Sequence, residues 1–570
     1  MMRQAINDTV LRNQLAQALR AGQLAQADQA LKQLLMRHGQ DPALHHTAAE
    51  IAWRQGNRTN ALKDFGQAFR LASDHPTLPQ AMAIADSAAR YIGHLLGSYA
   101  IDCRDLLSRQ TLADLLTRPD LDPQAIAGAA IPVWIETAPW SDYFAQAPET
   151  AATTLMQDEG KAARHDPLAL ALLNHAVLAD PAVERLLLAC RDHILAHPDR
   201  RDPVFTCALA RQYWLTDYAG RAATAPRPND DLLRALVENP VDWQGTGDDT
   251  LCAELIAQHK HELALIDEII DVGDDADETA ITRAQYEQHP YPRWVGLTVP
   301  QPGSRRALLH RAMPEGNWQS RELAILIAGC GTGRHALMAA LGYGNKAQVT
   351  AIDISQRSLA YAERQRRRFG ASNLSLARAD ILRLDRLPSA LKPARGYDVI
   401  ECVGVLHHMA DTWAGLAALA DHLAEGGLIQ LGLYRRAGRT HVATARADIA
   451  KRGLDPANDD DIRRYRRIIL DDPQHLLHGA LAHNRDFYSL PGCRDLLFHN
   501  RERDTELTEI AAELDRLGLK FRGMQMPNAV LEAFATHYDP SKLNDLSLWQ
   551  QFEAERPDLF DAMYRFWVSR

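Results

Sequence analysis

The hydrophobic pattern changes period part-way along the 570-residue chain. Up to about residue 280 apolar positions recur at three- and four-residue spacing. Pro181-Ala-Val-Glu-Arg-Leu-Leu-Leu-Ala-Cys-Arg-Asp-His-Ile-Leu and Phe205-Thr-Cys-Ala-Leu-Ala-Arg-Gln-Tyr-Trp-Leu are examples, and such spacing predicts helices with one buried stripe. From residue 322 short continuous apolar runs take over, at Leu323-Ala-Ile-Leu-Ile-Ala, Val349-Thr-Ala-Ile, Leu374-Ser-Leu-Ala, Tyr397-Asp-Val-Ile-Glu-Cys-Val and Leu428-Ile-Gln-Leu-Gly-Leu-Tyr. Runs of that length read as strands buried on both faces. Helical stretches such as Ser358-Leu-Ala-Tyr-Ala-Glu-Arg-Gln-Arg-Arg-Arg-Phe lie between them. The alternation predicts an α/β fold with a doubly wound, Rossmann-like sheet, preceded by an all-α region.

The first 76 residues repeat. Gly22 and Gly56, Ala27 and Ala61, Leu31 and Phe65, and Leu34 and Ala68 are each 34 residues apart, as are Pro42 and Pro76. A small residue at the turn, then bulky residues one and two turns later, describes paired helices. Thirty-four is the tetratricopeptide period, so residues 1–78 resemble two such repeats. The tryptophan and tyrosine of that consensus are absent from the usual first-helix positions. A hairpin pair that caps the next domain is the alternative to a peptide-binding groove. Residues 79–280 follow as a helical accessory domain, punctuated by Thr224-Ala-Pro-Arg-Pro-Asn-Asp and the acidic Gly273-Asp-Asp-Ala-Asp-Glu.

Composition narrows the class. Hydrophobic residues make up 46%, charged residues 24%, and the formal net charge is -10. That balance fits a soluble globular protein and disfavours a nucleic-acid coat or an anionic membrane surface. The N-terminus has no apolar signal core and no 18-residue apolar run occurs, so no membrane span is expected. Seven scattered cysteines without a Cys-x-x-Cys pair suggest reduced thiols in the cytoplasm. No histidine spacing marks a metal site, so none is expected.

The chemistry gathers after the strands. Gly329-Cys-Gly-Thr-Gly333 follows the first run, where glycine lets the backbone turn sharply and approach a ligand. Asp353 ends the second run, placed to accept from two ribose hydroxyls, and Asp380 ends the third, where a carboxylate can accept from an adenine amino group. The glycines alone also satisfy a dinucleotide fingerprint in Gly331-Thr-Gly333-Arg-His-Ala336. Glycines that begin two residues earlier, a second acidic strand end, and the run Cys402-Val-Gly-Val-Leu-His-His-Met followed by Leu423-Ala-Glu-Gly-Gly-Leu decide against that reading.

As a set, Ile325-Leu-Ile-Ala-Gly-Cys-Gly-Thr-Gly, Ala351-Ile-Asp-Ile-Ser, Ala379-Asp-Ile, the fourth-strand run and Leu423-Ala-Glu-Gly-Gly-Leu resemble the motifs of class I S-adenosylmethionine-dependent methyltransferases over residues 320–435. The whole layout is similar to bacterial tetratricopeptide-containing methyltransferases. The resemblance implies a seven-stranded sheet and S-adenosylmethionine as cofactor, held by Ala328, Gly329, Cys330, Gly331, Gly333, Asp353, Ile354, Asp380, Ile381 and Val403. One departure is Ile327, where the family often has Asp or Glu. Contacts to the methionine amino group must then come from backbone carbonyls or from elsewhere. Tyr286-Glu-Gln-His-Pro-Tyr-Pro-Arg-Trp294 is a candidate, within a linker or lid of residues 281–319, with Tyr286 at the cofactor and Arg293 pairing its carboxylate.

Glu401, His407 and His408 follow the fourth strand, where a base for the methyl acceptor is expected, and Tyr434 ends the fifth. The Asn/Asp-Pro-Pro-Tyr/Phe motif of adenine amino methylation is absent, so nucleic acid is disfavoured. Residues 436–520 form a helical insertion on the substrate side, with Arg435, Phe487, Tyr488 and Arg494 as further pocket candidates. Residues 521–570 complete the domain. The expected acceptor is a protein or peptide side chain held by the helical region. A small metabolite enclosed by the insertion, or a non-catalytic repeat scaffold, are the alternatives.

Overall fold

The computed structural model describes all residues except 1, 78–79, 223–227, 244–248 and 274–278. Most of the proline-bearing break near 226 and of the acidic stretch after Gly273 therefore lies outside the described residues. The chain divides into two compact units, residues 1–239 with 295–298, and residues 240–294 with 299–570.

The first unit is helical. Helices Met2–Arg20, Leu24–Arg37, Pro42–Arg54 and Arg58–Asp74 form two successive hairpins. The residues 34 apart do what their spacing predicts. Gly22 and Gly56 take positive φ at the turns, and Ala27, Ala61, Leu31, Phe65, Leu34 and Ala68 are buried.

The second unit is built on one sheet: β1 (Ile270–Asp271), β2 (Leu323–Ala328), β3 (Ala347–Asp353), β4 (Leu374–Arg378), β5 (Tyr397–Val403), β6 (Leu423–Tyr434), β7 (Lys520–Met524) and β8 (Met563–Ser569). The order is β1-β4-β3-β2-β5-β6-β8-β7, with β8 antiparallel to both neighbours and every other pairing parallel. The expected seven strands are present, and β1 adds a short edge. Residues 240–280, whose helical pattern suggested an accessory domain, join this unit. Their β1 pairs with β4, and Glu262 of helix Thr250–Leu265 meets Arg364 of helix Gln356–Arg368.

Strand order reverses beside β2, between β3 and β5, which opens a crevice at the carboxyl ends of these strands. Beneath it, β5, β6 and β8 bury Ile400, Leu431, Leu433 and Phe566 against the helices that follow. The insertion returns the chain to β7 through helices that include Thr440–Lys451, Asp459–Leu470 and Leu490–Leu497. Among the described residues no helix is long and apolar enough to cross a membrane. The C-terminal layer is closed by Trp549, fully buried and stacked 3.9 Å from Phe534, with its indole N–H donating to Leu543 O. Trp549→Ala is expected to cost about 3–5 kcal/mol of stability, measured by urea unfolding.

Candidate active site

The loop after β2 is held from both sides. The N–H groups of Gly329 and Cys330 donate to Ile352 O of β3, and Gly331 N donates to Asp353 Oδ2 at 2.7 Å. Gly329, Gly331 and Gly333 all have positive φ. A Cβ on Gly329 would meet Val405 at 2.5 Å, one on Gly331 the Tyr291 carbonyl at 2.9 Å, and one on Gly333 Ala362 at 2.5 Å. Only glycine satisfies both the dihedrals and the clearances. The aromatic-proline segment clamps the same loop. Thr332 Oγ1 donates to Pro292 O, and the Trp294 indole donates to Thr332 O.

Above the loop lies a cavity of about 520 Å³, a size suited to a cofactor-like ligand. It is bordered by Asp353, Ile354, Asp380, Ile381 and Leu382, by Arg305, Arg334 and His335, and by His408, Tyr434 and Asp495. Tyr286, Tyr291 and Pro292 also border it. Burial raises the Asp353 carboxyl, offset by hydrogen bonds from the N–H groups of Ser355 and Gly331. Its carboxylate thus ties loop to strand while facing the cavity.

The wall of His408, Asp495 and the adjacent His499 has ligand atoms within 4.8 Å of one another. Tyr286 Oη donates to Asp495 Oδ1 at 2.7 Å. Burial pushes Asp495 up to about 6, against the lowering effect of that hydrogen bond. One residue sets both rings: His408 Nδ1 lies 2.9 Å from Arg501 O, and Arg501 N donates to His499 Nδ1 at 3.0 Å. His408 is therefore protonated at Nδ1 with an Nε2 lone pair, whereas neutral His499 carries its proton on Nε2. A cation held by both Nε2 atoms would need two lone pairs there, so the trio suits a protic ligand better than a metal.

Residues 326–429 match the family model described as "Methyltransferase domain". An uncharacterised Synechococcus protein is 28% identical over 295 residues, covering 48% of this chain and 67% of its own. Among solved structures, PKMT2 of Rickettsia typhi in complex with AdoHcy is 15% identical with a TM-score of 0.34, over 44% of this chain and 49% of that one. The chain thus spans about half the length of that structure. Magnesium protoporphyrin IX methyltransferase of Synechocystis with bound SAH is 14% identical, TM-score 0.27, over 51% of this chain and 99% of that one. The chain carries a class I methyltransferase domain. Its cofactor is S-adenosylmethionine.

The methyltransferase cavity brings together most of the residues expected to hold that cofactor: Gly329, Cys330, Gly331, Asp353, Ile354, Asp380, Ile381, Val403 and Tyr286. Ala328 and Gly333 do not border it, the first buried in β2 and the second packed on Ala362. Arg293 does not border it either, and Arg305 is the arginine from the 281–319 segment that does.

Of the residues expected to act on the acceptor, His408 and Tyr434 face the cavity. Two do not. Glu401 is fully buried, its carboxylate occupied by Arg305, His335 and Tyr343. His407 is fully buried and stacked 3.7 Å from the Tyr434 ring, because Leu406–His408 is a tight 3-10 turn that points the two histidines differently. Burial holds His407 neutral, well below the usual histidine range. Arg435, Phe487, Tyr488 and Arg494 also lie off the cavity; all four are buried. Sequence reading missed Arg305, His335, Asp495 and His499 as site residues. The four-residue spacing of Asp495 and His499 was the one available signal, although the helix ends at Leu497 and only Asp495 of the two borders the cavity. Gly331→Ala is expected to weaken S-adenosylmethionine binding at least about tenfold through backbone strain of about 1–3 kcal/mol and the Tyr291 contact, read by calorimetry on a variant with unchanged circular dichroism.

Proposed function

We propose that the chain transfers the methyl group of S-adenosylmethionine to a protic oxygen or nitrogen of a small acceptor that enters the cavity beneath the 436–520 insertion. The observation that supports this best is Asp495. It comes from the insertion, is fixed by Tyr286, and borders the same cavity as the glycine loop.

The bound cofactor supplies an electrophilic methyl group on a sulfonium, so the chain's own task is alignment, exclusion of water and handling of one proton. Tyr286, Tyr291 and Tyr434 give that space aromatic walls. Asp495 takes the acceptor's proton, with Tyr286 holding Oδ1 and leaving Oδ2 for the task. His408, brought down to about 4 by burial, stays neutral and offers Nε2 as a hydrogen-bond acceptor. His499, also kept neutral by burial, stacks 3.8 Å from His408 and backs it without bordering the cavity itself. A hydroxyl or amine, which carries a transferable proton, suits the two acceptors that face the cavity, Asp495 and His408.

A second reading has the acceptor on a protein or peptide side chain, supported by the hairpins of residues 2–74 with their repeated buried positions. Incubation of a cell extract with methyl-labelled cofactor and the chain separates the two. Label in the small-molecule fraction supports the first reading, label in protein alone supports the second, and absence of cofactor binding by calorimetry sinks both.

Asp495 must be ionised to accept a proton, so a methyl-transfer rate is expected to rise with pH through about 6 and level off above it. Asp495→Asn is expected to lower the rate about 10²–10⁴-fold and to remove that limb, and an unchanged limb in the variant would assign the proton elsewhere.

A further inference from the structure

Position 327 holds isoleucine on β2. The register of the sheet shows where a carboxylate stands instead. Ile327 lies opposite Glu401 on β5, and Glu401 lies opposite Gln430 on β6. Residues in register on neighbouring parallel strands share a face of the sheet, so Glu401 projects on the side Ile327 does, one strand over.

Glu401 is fully buried and does not border the cavity. Its carboxylate gathers three groups from separate parts of the chain. Arg305 Nη1, from the segment ahead of the sheet, lies 2.5 Å from Oε2; His335 Nε2, one residue into helix Arg334–Tyr343, is also 2.5 Å from Oε2; Tyr343 Oη, from the end of that helix, donates to Oε1 at 2.6 Å. Burial works to raise the Glu401 carboxyl, but the Arg305 charge and the His335 and Tyr343 hydrogen bonds outweigh it and hold the group ionised. Buried carboxylates of this kind stand only with partners on both oxygens.

The partners, unlike Glu401, reach the ligand. Arg305 and His335 both border the cavity, beside Arg334 and just beyond the glycine loop. Glu401 takes one N–H of Arg305, and a guanidinium has five. The flexible arginine is thereby held in one pose, with Tyr343 5.8 Å beneath its guanidinium. Asp353 and Asp380, the carboxylates expected to hold the nucleoside, border the same cavity as Arg305, so it presents both acids and a fixed cation. A ligand with hydroxyls and an amine at one end and an α-amino-acid carboxylate at the other fits that combination.

Resting on the methyl-transfer reading, we infer that Glu401 is a positioning residue that, with His335 beside it, holds Arg305 to receive the methionine carboxylate of the cofactor. Glu401 acts through its partners and touches no ligand. An ion cluster that served only to pin the 299–312 segment to the sheet would affect every ligand of the cavity alike. Positioning of the carboxylate end would not.

The experiment compares S-adenosylmethionine with 5′-methylthioadenosine, a thioether nucleoside that lacks both the amino-acid end and the sulfonium charge, by calorimetry on the full chain. Glu401→Gln is expected to weaken S-adenosylmethionine about tenfold while the nucleoside alone changes less than about twofold. Arg305→Lys keeps a charge against Glu401, so it remains informative if the first variant does not fold. It is expected to show the same split, and Glu401→Asp a partial recovery. If either folded variant binds both ligands in the wild-type ratio, Glu401 is a fold-pinning residue and the inference is overturned. If the wild-type chain binds neither ligand, the methyl-transfer reading falls and the inference falls with it.

Discussion

The arrangement of the second unit depends on how closely backbone approaches backbone at the end of β2. Three glycines with positive φ let the loop pass between Val405, the Tyr291 carbonyl and Ala362, with no space left for a Cβ. Because the loop lies so low, Asp353 can reach its N–H from the next strand, and the Tyr291–Trp294 segment can close over it. The cavity is the volume left above these contacts. Each wall then comes from a different stretch of chain, and each is fixed by a hydrogen bond or ion pair of its own.

Two of those ties are buried charges used in different ways. Glu401 is surrounded by donors and stays ionised out of reach of any ligand. Asp495 has one strong donor, Tyr286, and burial leaves it poised close to neutrality. The number of partners therefore separates a carboxylate that holds structure from one that can exchange a proton. Both sit on elements that a sheet of this topology brings to the same end, although 94 residues separate them in sequence.

What the sequence disclosed follows the same logic. Apolar runs located the parallel strands because burial on both faces leaves no other composition, and the glycines and the acids at 353 and 380 were visible because they adjoin those runs. The 34-residue spacing likewise placed the first two hairpins. Contacts between distant segments were not legible. Arg305 meets a carboxylate 96 residues away, and Tyr286 meets one 209 residues away. Glu401 was read as facing the acceptor because a strand's alternation gives two faces without saying what covers either. Only the pairing with Ile327 and the arrival of Arg305 decide that. The histidine doublet was ambiguous for a related reason: strand, helix and 3-10 turn each point the two rings differently.

The backbone of Arg501 sets more than its own turn. Its carbonyl faces one histidine and the loop's N–H at the same residue faces the other, so the two rings carry opposite polarity by construction. Neither ring can be inverted alone without stranding a backbone group. The stacked pair thus has a fixed direction of hydrogen bonding, with the accepting Nε2 on His408 and the protonated one on His499. The tautomer of each ring is therefore written in the backbone of one residue, and a substitution of either side chain leaves that backbone polarity in place.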